Sequence, residues 1–525
     1  MSVTTDRRLS KAQNYLAHGQ VDAARIMLES LAQRDPENTE AHLLLGGIAW
    51  EEDRVRDATR HALDAARELP DDAAVLGDMA GALVQVGEVV AARACLDHAT
   101  LAHTTAVNVL EHVASLRYTL GEHAEALALL DRAKAAGSDG PKFHFSRGMQ
   151  LAFNGRLEEA EAELEASLRM RGAPGRAAFE LARLRTQTPQ RNHLDDLAQR
   201  LQNVTSGSED HAGVEFARYK ELEDLGRYDE AWKSLARGNA MLYARQKHDP
   251  EHARRLFDGM IERCTPQFVQ PAEVVHEGPQ PIFIIGMPRS GTTVLDRIFG
   301  NHSQVTSAGE LDNFALQLRW AADSRTTLDE NVLQRLPDLD YAELGRRYLQ
   351  QTQWRARGAP FYTDKLPRNW MIAGLIRRAL PQARILHLVR DPMAVCFSNF
   401  RVMFADAFAH IYDLDALAAH YAQYRRVLEH WHAVMPGQIL DVHYNELVRD
   451  PETMARKVFA FCGLDWEPGC ADLARNKTAV ATLSAAQVRE PIHARAIEEW
   501  RRYERQLAPL QEALASHEPA DAAHA

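Results

Sequence analysis

The clearest chemical signature in the sequence is a glycine-bounded loop between a short apolar run and an amphipathic segment. The stretch PIFIIGMPRSGTTVLDRIFGNH reads as a buried strand from Ile282 to Ile285, a G-x-x-x-x-G loop and then a helix. In this order, backbone N–H groups and the N-terminus of the helix face a bound anion, and the glycines let the backbone approach it closely. The loop therefore predicts a phosphate-binding site.

The residue after the second glycine separates two kinds of phosphate chemistry. A nucleotide triphosphatase carries lysine there, followed by Ser or Thr to hold magnesium. This chain has Thr292 and Thr293 after Gly291, and the cation of the loop is Arg289. The pattern disfavours a kinase or an ATPase, although a phosphotransferase with a divergent loop stays an alternative.

The PRSGTT loop after a strand resembles the 5′-phosphosulfate loop of sulfotransferases, in the form found in the tyrosylprotein sulfotransferase family. The resemblance extends over roughly residues 280–505. It implies transfer of a sulfuryl group from the donor 3′-phosphoadenosine 5′-phosphosulfate (PAPS), without an obligatory metal ion. The loop residues that it assigns to donor binding are Pro288, Arg289, Ser290, Gly291, Thr292 and Thr293.

The same resemblance assigns catalytic roles to residues in later segments. Lys365, in FYTDKLPRNW, and Ser484, in ATLSAAQVREPI, would join Arg289 in stabilising the leaving group. Glu310, in SAGELDNF, matches the catalytic base, although a glutamate is a weak base toward a phenol unless burial raises its pKa. The alternatives are an exposed surface lysine, a helix-capping glutamate and His302 as a weaker candidate base.

A second apolar run carries residues that the resemblance places at the 3′-phosphate of PAPS. Ile385 to Val389 reads as a buried strand that ends at Arg390, and Ser398 follows in the next helix. An arginine fork suits phosphate oxygens, although an ion pair between Arg390 and Asp391 is the simpler alternative. His387, inside this strand, is interpreted as a packed core residue rather than a ligand.

Matches nearer the C-terminus concern the donor as well. Tyr444 corresponds to a family tyrosine near the 3′-phosphate, and a core tyrosine at a strand end is an equally fair interpretation. Gln487 strengthens the match around Ser484. The family's lysine in this segment is replaced by Glu490, and Arg489 is the candidate to supply the missing charge.

One departure from the tyrosylprotein enzymes bears on the acceptor. They carry an arginine two residues after the catalytic glutamate, suited to acidic peptides, where this chain has Asp312. Recognition of an acidic tyrosine motif is therefore in doubt. The accepting hydroxyl group can belong to a tyrosine, another peptide residue, a sugar or a small molecule.

The elements that precede the loop form a repeat of 34 residues. A turn residue recurs at this interval, an alanine follows five residues later, and a second small-residue position keeps the same spacing. A glycine in a helix–turn–helix unit tolerates a positive φ, and small residues let helices approach closely. The pattern resembles the tetratricopeptide repeat. The three series are Gly19, Asp53, Gly87, Gly121 and Gly155; Ala24, Ala58, Ala92, Ala126 and Ala160; and Gly46, Ala80, Ala114 and Gly148.

The sequence thus predicts an all-α tetratricopeptide-repeat solenoid over residues 8–245 and a P-loop-like α/β sulfotransferase domain with a mostly parallel sheet over 278–508. Residues 509–525 are expected to be disordered. Stacked repeats give a concave surface that typically takes a protein or a peptide. A scaffold that binds nucleotide without turnover is the non-enzymatic alternative.

Composition excludes several other classes of protein. A net charge of −12 over 525 residues does not suggest binding to nucleic acid. The five cysteines form no C-x-x-C pair, and no run approaches 18 apolar residues, so neither a disulfide framework nor a membrane span is expected. The expected location is the cytoplasm.

Overall fold

The computed structural model describes residues 3–272, 275–404, 406–475 and 497–516. The first half is helical, and the second half is built on one parallel sheet with helices on both faces. The predicted fold class is confirmed. No helix in these ranges is both long enough and apolar enough to cross a membrane.

Helices of the first half pack mainly against their neighbours in the chain, as stacked helix–turn–helix units require. They are α1 (Val3–Ala17), α2 (Val21–Arg34), α3 (Thr39–Glu51), α4 (Val55–Ala65), α5 (Ala73–Val86), α6 (Val89–Leu96), α7 (Ala99–His103), α8 (Val107–Thr119), α9 (His123–Ala135), α10 (Pro141–Phe153), α11 (Leu157–Arg169), α12 (Gly175–Arg183), α13 (Leu194–Asn203), α14 (Glu209–Asp224), α15 (Tyr228–Arg245) and α16 (Pro250–Arg263).

The recurring turn residues adopt the left-handed conformation that the sequence predicts. The φ angle is 72° at Gly19, 83° at Gly87, 75° at Gly121 and 83° at Gly155. Asp53, the one non-glycine of the series, has a φ of 60°. An L-residue pays a steric cost in this region, so a compensating contact is expected at Asp53.

The second small-residue position brings paired helices together. A Cβ atom on Gly148 would lie 2.9 Å from Cγ of Leu164, in the partner helix α11. Further along, α12 and α14 approach so closely that a Cβ atom on Gly213 would lie 2.4 Å from the carbonyl carbon of Gly175. Side chains at these positions would force the helices apart, which explains the small residues.

The second half contains one five-stranded parallel sheet in the order β2-β3-β1-β4-β5. Its central strand is flanked by β3 and β4, with Phe283 opposite Asp364 and Ile284 opposite Leu386. Parallel strands with both faces covered read as continuous apolar runs, as the sequence of the central strand does. The strands are β1 (Gln280–Gly286), β2 (Val305–Ser307), β3 (Phe361–Asp364), β4 (Arg384–Val389) and β5 (Ile439–His443).

Helices cover both faces of this sheet. Phe283 and Ile285 belong to one apolar core, while Ile282 and Ile284 belong to a second core on the opposite face. This alternation follows from the two-residue period of a strand. The covering helices are α17 (Thr292–Phe299), α18 (Asn313–Ala322), α19 (Glu330–Arg335), α20 (Tyr341–Thr352), α21 (Ala373–Ala379), α22 (Pro392–Phe400), α23 (Leu414–Val434), α24 (Tyr444–Arg449), α25 (Pro451–Cys462) and α26 (Ala508–Ser516).

The two halves share one of these cores. Phe216 and Leu235, on α14 and α15, belong to the same buried cluster as Phe283 of the central strand. Asn239 of α15 donates to the carbonyl oxygen of Phe400, at a distance of 3.1 Å. The last repeat helices are therefore part of the core of the second half.

Earlier repeats contact the second half through their turns. Asp53 accepts a hydrogen bond of 2.6 Å from the backbone N–H of Arg325, which compensates for its left-handed conformation. Gln317 donates to the carbonyl oxygen of Gly87 over 2.9 Å. In the next turn, Arg355 donates to the carbonyl oxygen of Leu120 over 2.8 Å. Three consecutive turns, one repeat apart, thus lie against the second half.

A buried ion pair reinforces the central turn contact. The guanidinium of Arg347, on α20, binds the carboxylate of Glu88, which follows Gly87. Gln351 donates to the second oxygen of the same carboxylate over 2.9 Å. Since a buried charge without its partner is costly, these contacts tie the repeats to the second half.

The chain after residue 508 differs in part from the prediction. Residues up to Ser516 form the helix α26, with Leu510 and Leu514 buried against the shared core. The expected disorder is therefore wrong for 509–516, because Leu507, Leu510 and Leu514 recur at helical spacing on one face. Residues 517–525 lie outside the described ranges.

Candidate active site

The G-x-x-x-x-G loop joins the end of β1 to the start of α17, at the carboxyl edge of the sheet. Gly291 precedes α17 with a φ of 106° and, as a glycine, has no side chain that could cap the first turn of that helix. Ser290 is buried, and its Oγ atom has no hydrogen-bond partner among the described residues. A buried hydroxyl group beside the backbone N–H groups at the start of a helix suits an anion, and binding of phosphate there stays a prediction.

Arg289, Arg390 and Ser398 lie together. Arg289 has a φ of 67°, a conformation unusual for a non-glycine residue. Its Nε atom lies 3.4 Å from Oγ of Ser398, and its carbonyl oxygen accepts a hydrogen bond of 2.7 Å from Arg390. Asp391 instead accepts from the backbone N–H of Ala394 and caps α22.

The charge around the loop is strongly positive. Burial, together with the neighbouring cations Arg183, Arg401 and Arg390, lowers the pKa of Arg289 to about 9. Burial also lowers the pKa of Arg390, and Arg401 adds to this effect. Like charges held together in a poorly solvated site are stabilised by a bound anion. The site therefore favours a ligand with several negative charges.

Two of these cations were not found by sequence reasoning. Arg183 is on the repeat helix α12, and Arg401 follows α22. Although burial acts in the opposite direction, the carboxylate of Glu499 raises the pKa of Arg401, whose guanidinium lies 2.5 Å from it. Neither arginine belongs to a local motif. Packing of α12 on the second half brings Arg183 here, whereas Arg401 lies at the end of the helix that carries Ser398.

The ring of Tyr444 packs against Gly291 of the loop and against Arg390. The Arg390 guanidinium lies 4.7 Å from the centre of the Tyr444 ring, a cation–π arrangement. A Cβ atom on Gly291 would lie 2.4 Å from Cδ2 of the same ring. The residue is 8% exposed at the start of α24, which agrees with its interpretation as a core tyrosine, while its role near the 3′-phosphate stays a prediction.

Lys365 and Glu310 form an ion pair next to the end of β3. Nζ of Lys365 lies 2.6 Å from Oε1 of Glu310, and the backbone N–H of Lys365 donates to the carbonyl oxygen of Gly309. The lysine side chain is 1% exposed, and that of the glutamate is 44% exposed. The interpretation of Lys365 as a surface lysine is therefore wrong.

Two further carboxyl groups adjoin this pair. The preceding residue, Asp364, accepts a hydrogen bond of 2.8 Å from Tyr348, and burial raises the pKa of Asp364 well above its ordinary value. Asp312 binds the guanidinium of Arg368. The tyrosylprotein enzymes carry an arginine at the position of Asp312. Here Arg368 supplies a positive charge close to that position, but the carboxylate of Asp312 neutralises it.

His302 is held by other parts of the chain. Its Nε2 atom lies 2.8 Å from the carbonyl oxygen of Asp465, and its Nδ1 atom accepts from the backbone N–H of Gln304. The ring packs edge-on against Phe459. These contacts give the imidazole a structural role and leave Glu310 as the candidate base.

Several predicted site residues cannot be placed. The segment from 476 to 496 lies outside the described residues. The predictions that fall in it concern Ser484, Gln487 and Arg489. These assignments stay predictions from the sequence.

Comparison with known proteins agrees with this geometry. Residues 281–468 match the model of the sulfotransferase family. The resemblance of the second half is thereby confirmed, and this part of the chain is a sulfotransferase-family domain.

Individual relatives share parts of the chain. An uncharacterised protein of Aquifex aeolicus is 32% identical over 314 residues, which are 58% of this chain and 41% of that protein. A protein-tyrosine sulfotransferase of Drosophila melanogaster is 26% identical over 200 residues, which are 35% of this chain and 38% of the relative. The chain thus spans less than half the length of these two relatives.

Among solved structures, the sulfotransferase domain of the Synechococcus PCC 7002 olefin synthase is similar to this chain. The sequence identity is 22% and the TM-score is 0.32. The match covers 44% of this chain and 91% of that domain.

Proposed function

We propose that this protein transfers a sulfuryl group from PAPS to a hydroxyl group of an acceptor. The observation that carries the proposal is the grouping of Arg289, Arg390 and Ser398 beside a phosphate loop without a lysine. The family match of residues 281–468 supports sulfotransfer as the class of reaction.

The residues present fit the donor. The N-terminus of α17 and the buried hydroxyl group of Ser290 offer donors for the 5′ end of PAPS. Arg390 and Ser398 are the candidates for the 3′-phosphate, the group that distinguishes PAPS from ATP. The concentration of cations that lowers the pKa of Arg289 suits this highly charged ligand.

The chemistry requires stabilisation of one leaving group and acceptance of one proton. A bond forms between the acceptor oxygen and sulfur, the bond from sulfur to the 5′-phosphate oxygen breaks, and its electron pair leaves with the phosphate. Cations at the leaving oxygen lower the barrier, which assigns Lys365 and Arg289 to that role. The carboxylate of Glu310 takes the proton of the acceptor hydroxyl group.

The half-exposed carboxylate of Glu310 gives the acceptor access to this base, while Lys365 behind it is buried. Asp312 pairs with Arg368, so this arginine is already neutralised and is a weak candidate for binding an acidic peptide. The proposal for the acceptor therefore stays at the level of a hydroxyl compound: a tyrosine, another peptide residue, a sugar or a small molecule.

The repeats are proposed to bind a protein or a peptide. Their turns at Asp53, Gly87 and Leu120 already contact the second half. A partner would therefore use the concave surface or the opposite edge of the solenoid.

The first experiment is a calorimetric titration with 3′,5′-adenosine bisphosphate, compared with ADP plus magnesium. We expect metal-independent binding of the bisphosphate that is at least ~30-fold weaker in Arg390→Ala, since a charged hydrogen-bonded contact of this kind is worth about 2–5 kcal/mol. Arg384→Ala is the matched control, because Arg384 lies exposed at the opposite end of the same strand.

Preference for ADP with magnesium would favour the phosphotransferase alternative. Binding of the bisphosphate without any acceptor-dependent release of it from PAPS, over a broad set of hydroxyl compounds, would favour the scaffold. Equal loss of binding in Arg390→Ala and Arg384→Ala would contradict the assignment of Arg390.

A further inference from the structure

Two histidines and one aspartate converge near the open edge of the sheet. His387 on β4 is directly opposite Asp441 on β5, so their side chains lie on the same face. His432 reaches the same carboxylate from α23, which covers that face. Three separate elements thus deliver three potential metal ligands to one point.

The ligand atoms are close enough to share an ion. Nδ1 of His387 lies 2.7 Å and Nε2 of His432 lies 3.1 Å from Oδ1 of Asp441. All three atoms lie within 4.8 Å of one another. Zinc bonds of about 2.0–2.2 Å in a tetrahedral arrangement place ligand atoms roughly 3.3 Å apart, so only a small opening of the cluster is needed.

An ion at this point would compete with protons. Metal binding requires neutral imidazoles and a charged carboxylate, so the ion would replace the hydrogen bonds that now join the two histidines to Asp441.

An outer partner already orients the buried histidine. Nε2 of His387 forms a hydrogen bond with the hydroxyl group of Tyr424, on α23. Ligand histidines generally use their second ring nitrogen in this way, which fixes the tautomer and the direction of the first. The arrangement leaves Nδ1 of His387 for the ion.

The cluster also has room and access. It lines a cavity of about 170 Å³ that includes Glu429, one helical turn before His432. The side chains of His432 and Asp441 are 36% and 38% exposed. A water molecule or the Glu429 carboxylate can therefore complete the coordination from the solvent side.

We propose that His387, His432 and Asp441 form a binding site for a divalent transition-metal ion of the zinc type. Two imidazoles and one carboxylate favour such an ion over magnesium or calcium, which prefer oxygen ligands. The role of the ion is structural: it joins β4, β5 and α23. His387 is three residues before Arg390, and the same cavity reaches Arg390 and Ser290, so the ion also stabilises the edge on which the anion site is built.

The test is a calorimetric titration of the full-length, tag-free and chelator-treated protein with Zn²⁺. We expect one tight site in the wild type and binding that is at least ~10–100-fold weaker in His432→Ala and Asp441→Asn. His430→Ala is the matched control, because Nε2 of His430 instead faces the carbonyl oxygen of Cys264. Zinc should also raise the Tm of the wild type and of His430→Ala, but not that of His432→Ala.

His432 is partly exposed, so its replacement by alanine keeps the test informative even if Asp441→Asn folds poorly. Absence of a tight site in the wild type would overturn the proposal. The proposal is also overturned if both variants bind zinc as the wild type does, since the ion would then occupy another group, such as His42, His61 and Asp64.

Discussion

At the scale of single residues, the buried ammonium of Lys365 is the feature that most needs a function. A charged lysine is rarely so fully buried unless it is paired, and its partner Glu310 is itself half exposed. An arrangement of this kind holds a positive charge at a fixed point with little water around it, which is the condition for stabilising charge on a leaving group.

We therefore expect Lys365→Ala to lower kcat by roughly 10²–10³, the loss that follows removal of one preorganised donor. The fold should persist, because the remaining carboxylate of Glu310 reaches solvent. Steady-state rates at saturating donor and thermal unfolding would measure the two effects. Lys457→Ala, at an exposed position on α25, is the control, and equal rates in the two variants would remove Lys365 from the mechanism.

A second prediction concerns the positive charge of the site. Burial and three neighbouring arginines lower the pKa of Arg289, because they disfavour its charged form. A bound anion relieves this repulsion, and added salt screens the attraction between the anion and the site. Affinity for the bisphosphate should therefore fall as the salt concentration rises.

Calorimetric titrations at several salt concentrations measure this dependence. It should be weaker in Arg289→Gln, which has one positive charge fewer at the site. The same salt dependence in the variant as in the wild type would show that Arg289 does not contact the anion.

The sequence predicted the residues of this site unevenly. The loop from Pro288 to Thr293 is local, so its pattern alone indicates an anion site. No sequence pattern indicates Arg183 or Asp364. Arg183 reaches the site only through packing between distant segments, and the raised pKa of Asp364 follows from its burial. His387 was correctly predicted to be buried, yet its partner Asp441 becomes visible only once the strands are in register.

At the scale of elements, the turn positions of the repeats allow a matched comparison. Gly19 and Gly87 have the same left-handed conformation. A Cβ atom on Gly19 would meet nothing within 4 Å, whereas one on Gly87 would lie 2.8 Å from Cβ of Leu316, on α18. An alanine would be strained in the left-handed backbone at both positions, but only at Gly87 would it also collide with the second half.

Gly19→Ala should therefore cost about 1–2 kcal/mol, from the left-handed backbone alone. Gly87→Ala should cost a further ~1–3 kcal/mol, because the methyl group pushes against α18. Thermal unfolding of both variants measures the difference. Equal shifts in Tm would mean that the turn does not hold the two halves together.

Elements with strong periodicity were predicted well. The strands around Ile282 and Ile385 and the turns of the repeats were expected at their observed places, since each has a local pattern. The helix α26 was missed because its alanine-rich composition resembles that of a flexible tail, while burial of Leu510 and Leu514 against α23 decides the outcome.

At the scale of the whole molecule, the repeats and the sulfotransferase-family domain share a core. The helices from Gly175 to Arg263 contribute apolar side chains to the buried core that also includes Phe283 and Ile285 of the central strand. Separating the domain at its predicted boundary would expose this surface to water, at about 25 cal/mol per Å² of apolar area.

A fragment of residues 278–525 should therefore aggregate, whereas one of residues 171–525 should stay soluble because it keeps α12 to α16. Size-exclusion chromatography of the two fragments would measure this. A monomeric and folded 278–525 fragment would show that the shared core is dispensable. Residues 171–525 should also bind the bisphosphate, since Arg183 remains in place.

The regular spacing of the docked turns limits how this protein can change in length. Duplication of one unit between Asp53 and Gly121 would shift the later turns by one repeat. Arg325, Gln317 or Arg355 would then face a turn other than the one it binds now. A unit added before Asp53 would leave every one of these partners in place, and a Cβ atom on Gly19, in the preceding turn, would meet nothing within 4 Å. The repeat array can therefore grow or shrink at its first units, while the number of units between Asp53 and Gly121 is fixed by their contacts with the second half.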